Sequence, residues 1–144
     1  MLSAIQRACP MPLIVNQLEI SLGRLDCLED GTLDQCLQDG ITPASWSPLA
    51  GGLLGDTGII DPADPRASGL HVLHEVLDAM ARQYGVTRAA LSLAWLLRHP
   101  SHIIPIVGST NPGHIRDAAR ADTLELSRED WYSILVAARM RPLP

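Results

Sequence analysis

No stretch of this 144-residue chain approaches the roughly eighteen consecutive apolar residues that a membrane-spanning helix needs. Its first fifteen residues include Arg7, Pro10 and Pro12, which interrupt the continuous apolar core that a secretion signal carries. Both absences point to a soluble, cytoplasmic protein without membrane association. A basic cluster is missing as well. Lys and Arg together number 11 against 16 Asp and Glu, a formal charge of −5, so nothing neutralises a phosphodiester backbone and nucleic-acid binding is not expected. Cysteine is scarce: Cys9, Cys27 and Cys36 are odd in number and show neither CxxC spacing nor a Cys/His cluster. They read as reduced core thiols, not as a disulfide framework or a zinc site. His71 and His74, with Glu75 beside them, match no metal-binding signature, so no metal site is expected. The chain shows no internal repeat, low-complexity tract or second domain, and reads as one domain over residues 1–144.

What is present is apolar material for a core, 47% of residues, arranged in short alternating segments. Leu2, Ile5, Ala8 and Cys9 recur at helical spacing and are stopped by Pro10 and Pro12. Leu13 to Ile20 is too short for a helix and reads as a strand buried on both faces. Thr32 as N-cap and Gly40 as C′ bound a short helix, and Ile41 to Trp46 reads as a second strand. Ser47 to Arg66 is a proline- and glycine-rich loop of functional length. Leu70, Leu73, Val76, Leu77 and Met80 then mark one helical stripe ending near Gly85, and Thr87 caps a second helix that runs to His99. His102 to Val107 reads as a third strand. Asn111 and Pro112 open a helix to about Ala121, and Ser127 with Asp130 forms a capping-box start for the last one. Strands separated by helices imply a parallel α/β sheet, and three strands are too few for a closed barrel.

Three segments could carry chemistry. Gly108-Ser109-Thr110-Asn111-Pro112 leaves a strand for a helix N-terminus, with small residues, hydroxyls and exposed N–H groups suited to an anion; a merely well-capped loop needs the same Gly, Asn and Pro. Trp46 followed by Ser47, Pro48, Leu49, Ala50, Gly51 and Gly52 offers an indole to stack on a flat ring, or else a core tryptophan. Asn16 and Gln17 place amides inside an apolar strand, where Gln17 must find a backbone or ligand partner. Neither Ser47 nor Ser109 lies in a nucleophile-elbow pattern, which argues against a serine hydrolase.

Taken in order and spacing, Val15–Ser21, Ile41–Gly52 and Ile104–Pro112 closely resemble consecutive strand-end segments of the aldo-keto reductases. Leu91–Leu97 and Leu124–Ser127 fit the same pattern, so the whole chain resembles the C-terminal half of that family, and most nearly its bacterial members with Trp at the stacking position. The resemblance implies part of a (β/α)₈ TIM barrel and binding of NADPH or NADP. It implies that Gln17 bonds the nicotinamide carboxamide, that Trp46 stacks on the nicotinamide ring, and that Ser47, Leu49 and Gly51 line the pyrophosphate. Ser109, with Thr110 beside it, would meet the adenosine 2′-phosphate, and Asp117 would approach adenine. Three positions depart from the family pattern: Gly108 replaces a phosphate-binding Lys, His114 the usual Arg, and Ala118 an Asn that contacts adenine. These departures weaken the preference for NADPH over NADH.

The family's Asp, Tyr, Lys and His of catalysis belong to earlier strands, and Tyr84 and Tyr132 sit on predicted helices away from strand ends. The resemblance therefore implies a chain that is catalytically incomplete by itself: a truncated product, a fragmentary gene model or one piece of a split enzyme. Its complete form would take a small-molecule carbonyl substrate. The isolated chain would expose sheet edges that invite self-association or pairing with the missing N-terminal half. The alternative is a non-enzymatic nucleotide-binding or half-barrel interaction module.

Overall fold

The structure, a computed structural model, describes residues 2–140. Three strands, β1 (Val15–Glu19), β2 (Thr42–Trp46) and β3 (Ile104–Pro105), form one parallel sheet in the order β1-β2-β3. The order along the sheet follows the order along the chain, as in a barrel wall and unlike a doubly wound sheet, whose strand order reverses at a switch point. Six α-helices accompany it: α1 (Leu2–Ala8), α2 (Thr32–Asp39), α3 (Ala67–Tyr84), α4 (Arg88–Leu97), α5 (Pro112–Ala119) and α6 (Arg128–Arg139).

Local chemistry accounts for most of the boundaries. Thr87 accepts from the Ala90 N–H at 3.1 Å, Asn111 from the Gly113 N–H at 2.8 Å with Pro112 at the first helical position, and Ser127 from the Asp130 N–H at 3.1 Å. Each satisfies a helix donor that has no partner within the helix. The Ser127 cap is completed from outside its own helix. Tyr84, the last residue of α3, donates to the Asp130 carboxylate at 2.5 Å, and its oxygen accepts the Ser127 N–H at 3.2 Å. Thr32 is not an N-cap. Gly31, at φ +81°, takes that position, and the Asp30 carboxylate instead accepts the Thr32 N–H.

The sheet has two unlike faces. The register Gln17↔Ala44, Glu19↔Trp46 and Ala44↔Ile104 places Val15, Gln17, Trp46 and Ile104 on one side. Asn16, Leu18, Pro43 and Ser45 lie on the other, where the helices pack: Pro43 and Ser45 are buried, and Asn16 reaches Cys36 of α2. The first side is open, with Val15 52%, Trp46 44% and Ile104 55% exposed. The strand read as buried on both faces is therefore covered on one. Burial depends on what lies across the sheet, and among the described residues no element does. Gln17 accordingly faces solvent, and its amide needs no protein partner.

The core lies between the helix-covered face and the layer of α3, α4 and α6. Trp95, wholly buried on α4, stacks on Trp131 of α6 with ring centroids 4.8 Å apart and planes within 6°. Each indole N–H donates to the other residue's carbonyl oxygen, at 3.1 and 2.9 Å. Around this pair pack Leu73, Leu77, Leu91, Leu96, Ile103 and Ile134. Cys27 and Cys36 are buried, whereas Cys9, just past α1, is only half-buried, and α1 buries none of its residues. No described helix is long and apolar enough to cross a membrane.

Candidate functional site

At the C-terminal ends of β2 and β3 the chain opens into a cleft of about 680 Å³. β2 delivers Trp46 to its floor, and the next residues curl into a tight arch. Ser47 and Ala50 adopt left-handed backbone conformations, φ +51° and +50°, which cost a non-glycine residue energy and recur where a loop is held in a functional shape. The Ser47 hydroxyl accepts the Gly51 N–H at 3.0 Å, and the Ser47 carbonyl accepts the Ala50 N–H at 2.8 Å, closing the arch on itself. Gly51 and Gly52 follow with φ of +66° and +96°, where glycine is the natural residue.

The opposite wall comes from β3 and α5. Ile106 donates its N–H to the Ser45 carbonyl at 2.8 Å, which carries the sheet pairing one step past β3 and aligns the following segment with the Trp46 arch. Ser109 accepts the Asn111 N–H at 3.2 Å and stands 3.4 Å from Nδ1 of His114, in the first turn of α5. Asp117 lies one turn further along the same helix.

Eight of the ten residues singled out from the sequence line this cleft: Trp46, Ser47, Leu49, Gly51, Gly108, Ser109, His114 and Asp117. Gln17 and Thr110 do not; Gln17 lies on the open sheet face and Thr110 points to solvent. Trp46 is too exposed to be the core residue that its type alone allowed. Sequence reasoning missed the third wall, Gly55, Asp56 and Thr57, because a glycine-rich loop gives no periodicity from which to read its path. This wall is anchored by Arg88, the first residue of α4. Its N–H donates to the Asp56 carboxylate at 2.9 Å, its guanidinium to the Asp56 carbonyl at 3.1 Å, and its Nε lies 3.3 Å from Asp78. Arg88 is 7% exposed, unusual for an arginine and consistent with a structural clamp.

His74 of α3 lies beside the same clamp, close to Arg88 and Asp78. Burial holds its pKa below the ordinary imidazole value, and the Arg88 cation acts in the same direction. Burial likewise lowers His99, which lies against Trp131. A histidine whose folded-state pKa is depressed contributes stability that is complete above about pH 6.5 and is lost as the pH falls through the folded-state value. The denaturant midpoint should therefore hold from about pH 8 to 6.5 and fall below that, and His74→Leu should flatten part of the decline. A midpoint unchanged down to about pH 5 would contradict this.

A smaller hollow of about 230 Å³ lies beside Leu22, Asp26 and Ala138, bordered by the ion pair of Arg139 with Glu29 at 3.0 Å. Among the described residues no group of three or more His, Cys, Asp or Glu side chains could hold a metal ion.

An in-order parallel sheet, helices on one face and a long cleft at the C-terminal strand ends define part of the wall of an α/β barrel, with the cleft at the end where such barrels carry their sites. The comparisons agree. The model of the aldo/keto reductase family matches residues 2–137, and the chain belongs to that family. It is 42% identical over 132 residues to a 6-dehydroglucose reductase of Novosphingobium aromaticivorans, covering 92% of this chain and 41% of that protein. It is 38% identical over 134 residues to the oxidoreductase YdhF of Escherichia coli, covering 93% and 42% respectively. Among solved structures, the thermostable aldo-keto reductase Tm1743 superposes with a TM-score of 0.78 at 22% identity, over 94% of this chain and 44% of that one. An aldose reductase from Giardia lamblia gives 0.71 at 22%, over 99% and 43%. The fold is thus part of a (β/α)₈ barrel, and the chain spans about two-fifths of the length of the curated relatives it matches.

Proposed function

We propose that this chain is the C-terminal, cofactor-binding part of an aldo-keto reductase and that its cleft holds NAD(P)H. The observation that carries the reading is the convergence of two separate strand-end segments, 46–52 and 106–118, on one cleft with an exposed indole at one end and a helix N-terminus at the other. Such a cleft suits a dinucleotide. Trp46 can stack on a flat ring, the arch of Ser47, Leu49 and Gly51 lets a backbone lie along a pyrophosphate, and Ser109, His114 and Asp117 meet the adenosine end. Bound there, the cofactor would supply hydride for reduction of a small-molecule carbonyl. Residues 1–144 form a single, incomplete domain in this reading, acting in the cytoplasm.

The chain alone is not a reductase in this proposal. It contains no lysine, all eleven of its basic residues being arginines, and its two tyrosines lie on α3 and α6, Tyr84 committed to the Asp130 cap. Nothing present reproduces the Asp, Tyr, Lys and His set by which the family moves a proton to the carbonyl oxygen. The open sheet face supports a second reading, that of a half-barrel interaction module. Val15, Ile104 and Ile106 expose apolar side chains that a closed barrel would cover, so the chain would pair with itself or with an N-terminal half.

Titration with NADPH tests cofactor binding. Saturable quenching of tryptophan fluorescence is expected in the natural chain and should be lost in Trp46→Phe, a control needed because Trp95 and Trp131 also emit. If neither quenching nor heat of binding is seen, cofactor binding is removed from both readings. Carbonyl reduction by a monomer of this chain would overturn its proposed incompleteness.

A further inference from the structure

We infer that this chain forms a two-fold dimer through the free edge of β1, with two copies of that strand pairing antiparallel about Gln17. The inference rests on the half-barrel reading above, from which it takes the open sheet, and it commits that reading to one partner, a second copy of the chain.

The two edges of the sheet differ. The Thr42 N–H donates to the Ile14 carbonyl at 2.9 Å, so by the alternation of a parallel ladder Asn16 and Leu18 also turn their backbone groups to β2. Val15, Gln17 and Glu19 therefore turn theirs outward, where among the described residues no strand pairs with them. β1 carries no proline, lysine or bulge, the devices that protect an edge. β3 is protected. The Ile106 N–H donates to the Ser45 carbonyl, which turns Ile104 and Ile106 to β2 and leaves Pro105, without an N–H, facing outward on a two-residue strand. The edge that accepts a further strand is thus β1. A head-to-tail array, in which β1 of one copy meets β3 of the next, lacks a donor on the β3 side, so the association closes as a dimer.

The residues on this edge are complementary to themselves. In the antiparallel register centred on Gln17, Val15, Gln17 and Glu19 meet the second copy's Glu19, Gln17 and Val15, and every outward residue exchanges both N–H and carbonyl bonds with its opposite. A shift of register in either direction leaves at least one of them without a strand partner. Opposed side chains share one face of a sheet, here the open one. The two Gln17 amides stand side by side and bond each other. Each Glu19 carboxylate opposes a valine that is 52% exposed in the single chain, so no like charges meet and apolar surface leaves water.

The experiment is sedimentation velocity of the full chain from low micromolar to submillimolar concentration, with circular dichroism checking the fold of each variant. The natural chain should show a reversible dimer. Gln17→Lys sets two ammonium groups opposite each other and should raise the dissociation constant about fivefold or more. Val15→Lys sets an ammonium group opposite each Glu19 and should leave the constant unchanged or lower it. Association through the apolar open face would be weakened by both substitutions. Cross-linking gives a readout independent of affinity. In a Cys9→Ser background, where Cys27 and Cys36 are buried, Gln17→Cys brings two thiols onto opposed residues with Cα atoms about 5.5 Å apart, within disulfide reach, and mild oxidation should give a covalent dimer. Glu19→Cys, whose two copies stand about 13 Å apart along the strands, should not. A monomer at every concentration overturns the pairing. So does a dimer that Val15→Lys weakens, or one that Glu19→Cys cross-links as readily as Gln17→Cys. Each of these outcomes leaves the incomplete-domain reading standing, which fails separately if the monomer reduces a carbonyl.

Discussion

Replacing Trp95 by alanine should cost the fold about 3–5 kcal/mol and lower Tm by on the order of 10–20 °C. The indole is wholly buried, so its loss combines the transfer free energy of a large ring with the cavity it leaves. It also removes the hydrogen bond that the Trp95 indole donates to the Trp131 carbonyl at 3.1 Å. The reciprocal substitution is not equivalent. Trp131 is only half-buried, and in Trp131→Ala the Trp95 indole can keep its bond to the same backbone carbonyl, so the cost should be smaller. Trp95→Phe should fall between them, retaining an aromatic stack and losing one hydrogen bond, about 1 kcal/mol. Urea unfolding of the three variants gives the order directly. An equal or larger cost at Trp131 would mean that the stack, and not burial on α4, dominates.

Gly58→Ala should damage the cleft more than the fold, weakening NADPH binding by about tenfold or more at a stability cost of about 1–3 kcal/mol. A methyl group at Gly58 would lie 1.9 Å from the Leu53 carbonyl oxygen and 2.8 Å from that of Gly52. Both obstacles are backbone, so no side-chain rotation relieves them and the 52–58 segment must move. That segment carries Gly55, Asp56 and Thr57, the third wall of the cleft, and its internal bonds, Gly55 N–H to the Gly52 carbonyl and Gly58 N–H to the Gly55 carbonyl, move with it. Gly108 supplies the comparison. It also borders the cleft, but a methyl group there meets nothing within 4 Å, so Gly108→Ala should leave stability unchanged. Thermal unfolding and nucleotide titration of the two variants separate a loop effect from a general intolerance of added bulk; natural affinity in Gly58→Ala would contradict the assignment of this wall.

The caps of α4, α5 and α6 were legible because each rests on a local contact: Thr87, Asn111 and Ser127 reach donors two or three residues ahead in the chain. The Asp30–Thr32 turn shows how narrow that margin is, since a neighbouring carboxylate moved the cap position to Gly31. The third strand was read as six residues and forms regular pairing over only Ile104–Pro105, because pairing depends on how far β2 runs alongside, which the third strand's own residues do not encode.

The sequence by itself determined the family, the alternation of strands and helices, and most of the side chains that meet in the cleft, because these rest on short segments whose residue types and spacing are local to the chain. Tertiary structure decided what depends on neighbours distant in the chain. It exposed one face of β1 and left Gln17 in solvent. It brought Asp56 to Arg88 across 32 residues to build a wall from an irregular loop. Burial, ion pairing and local charge are properties of the packed arrangement, and no single segment contains them.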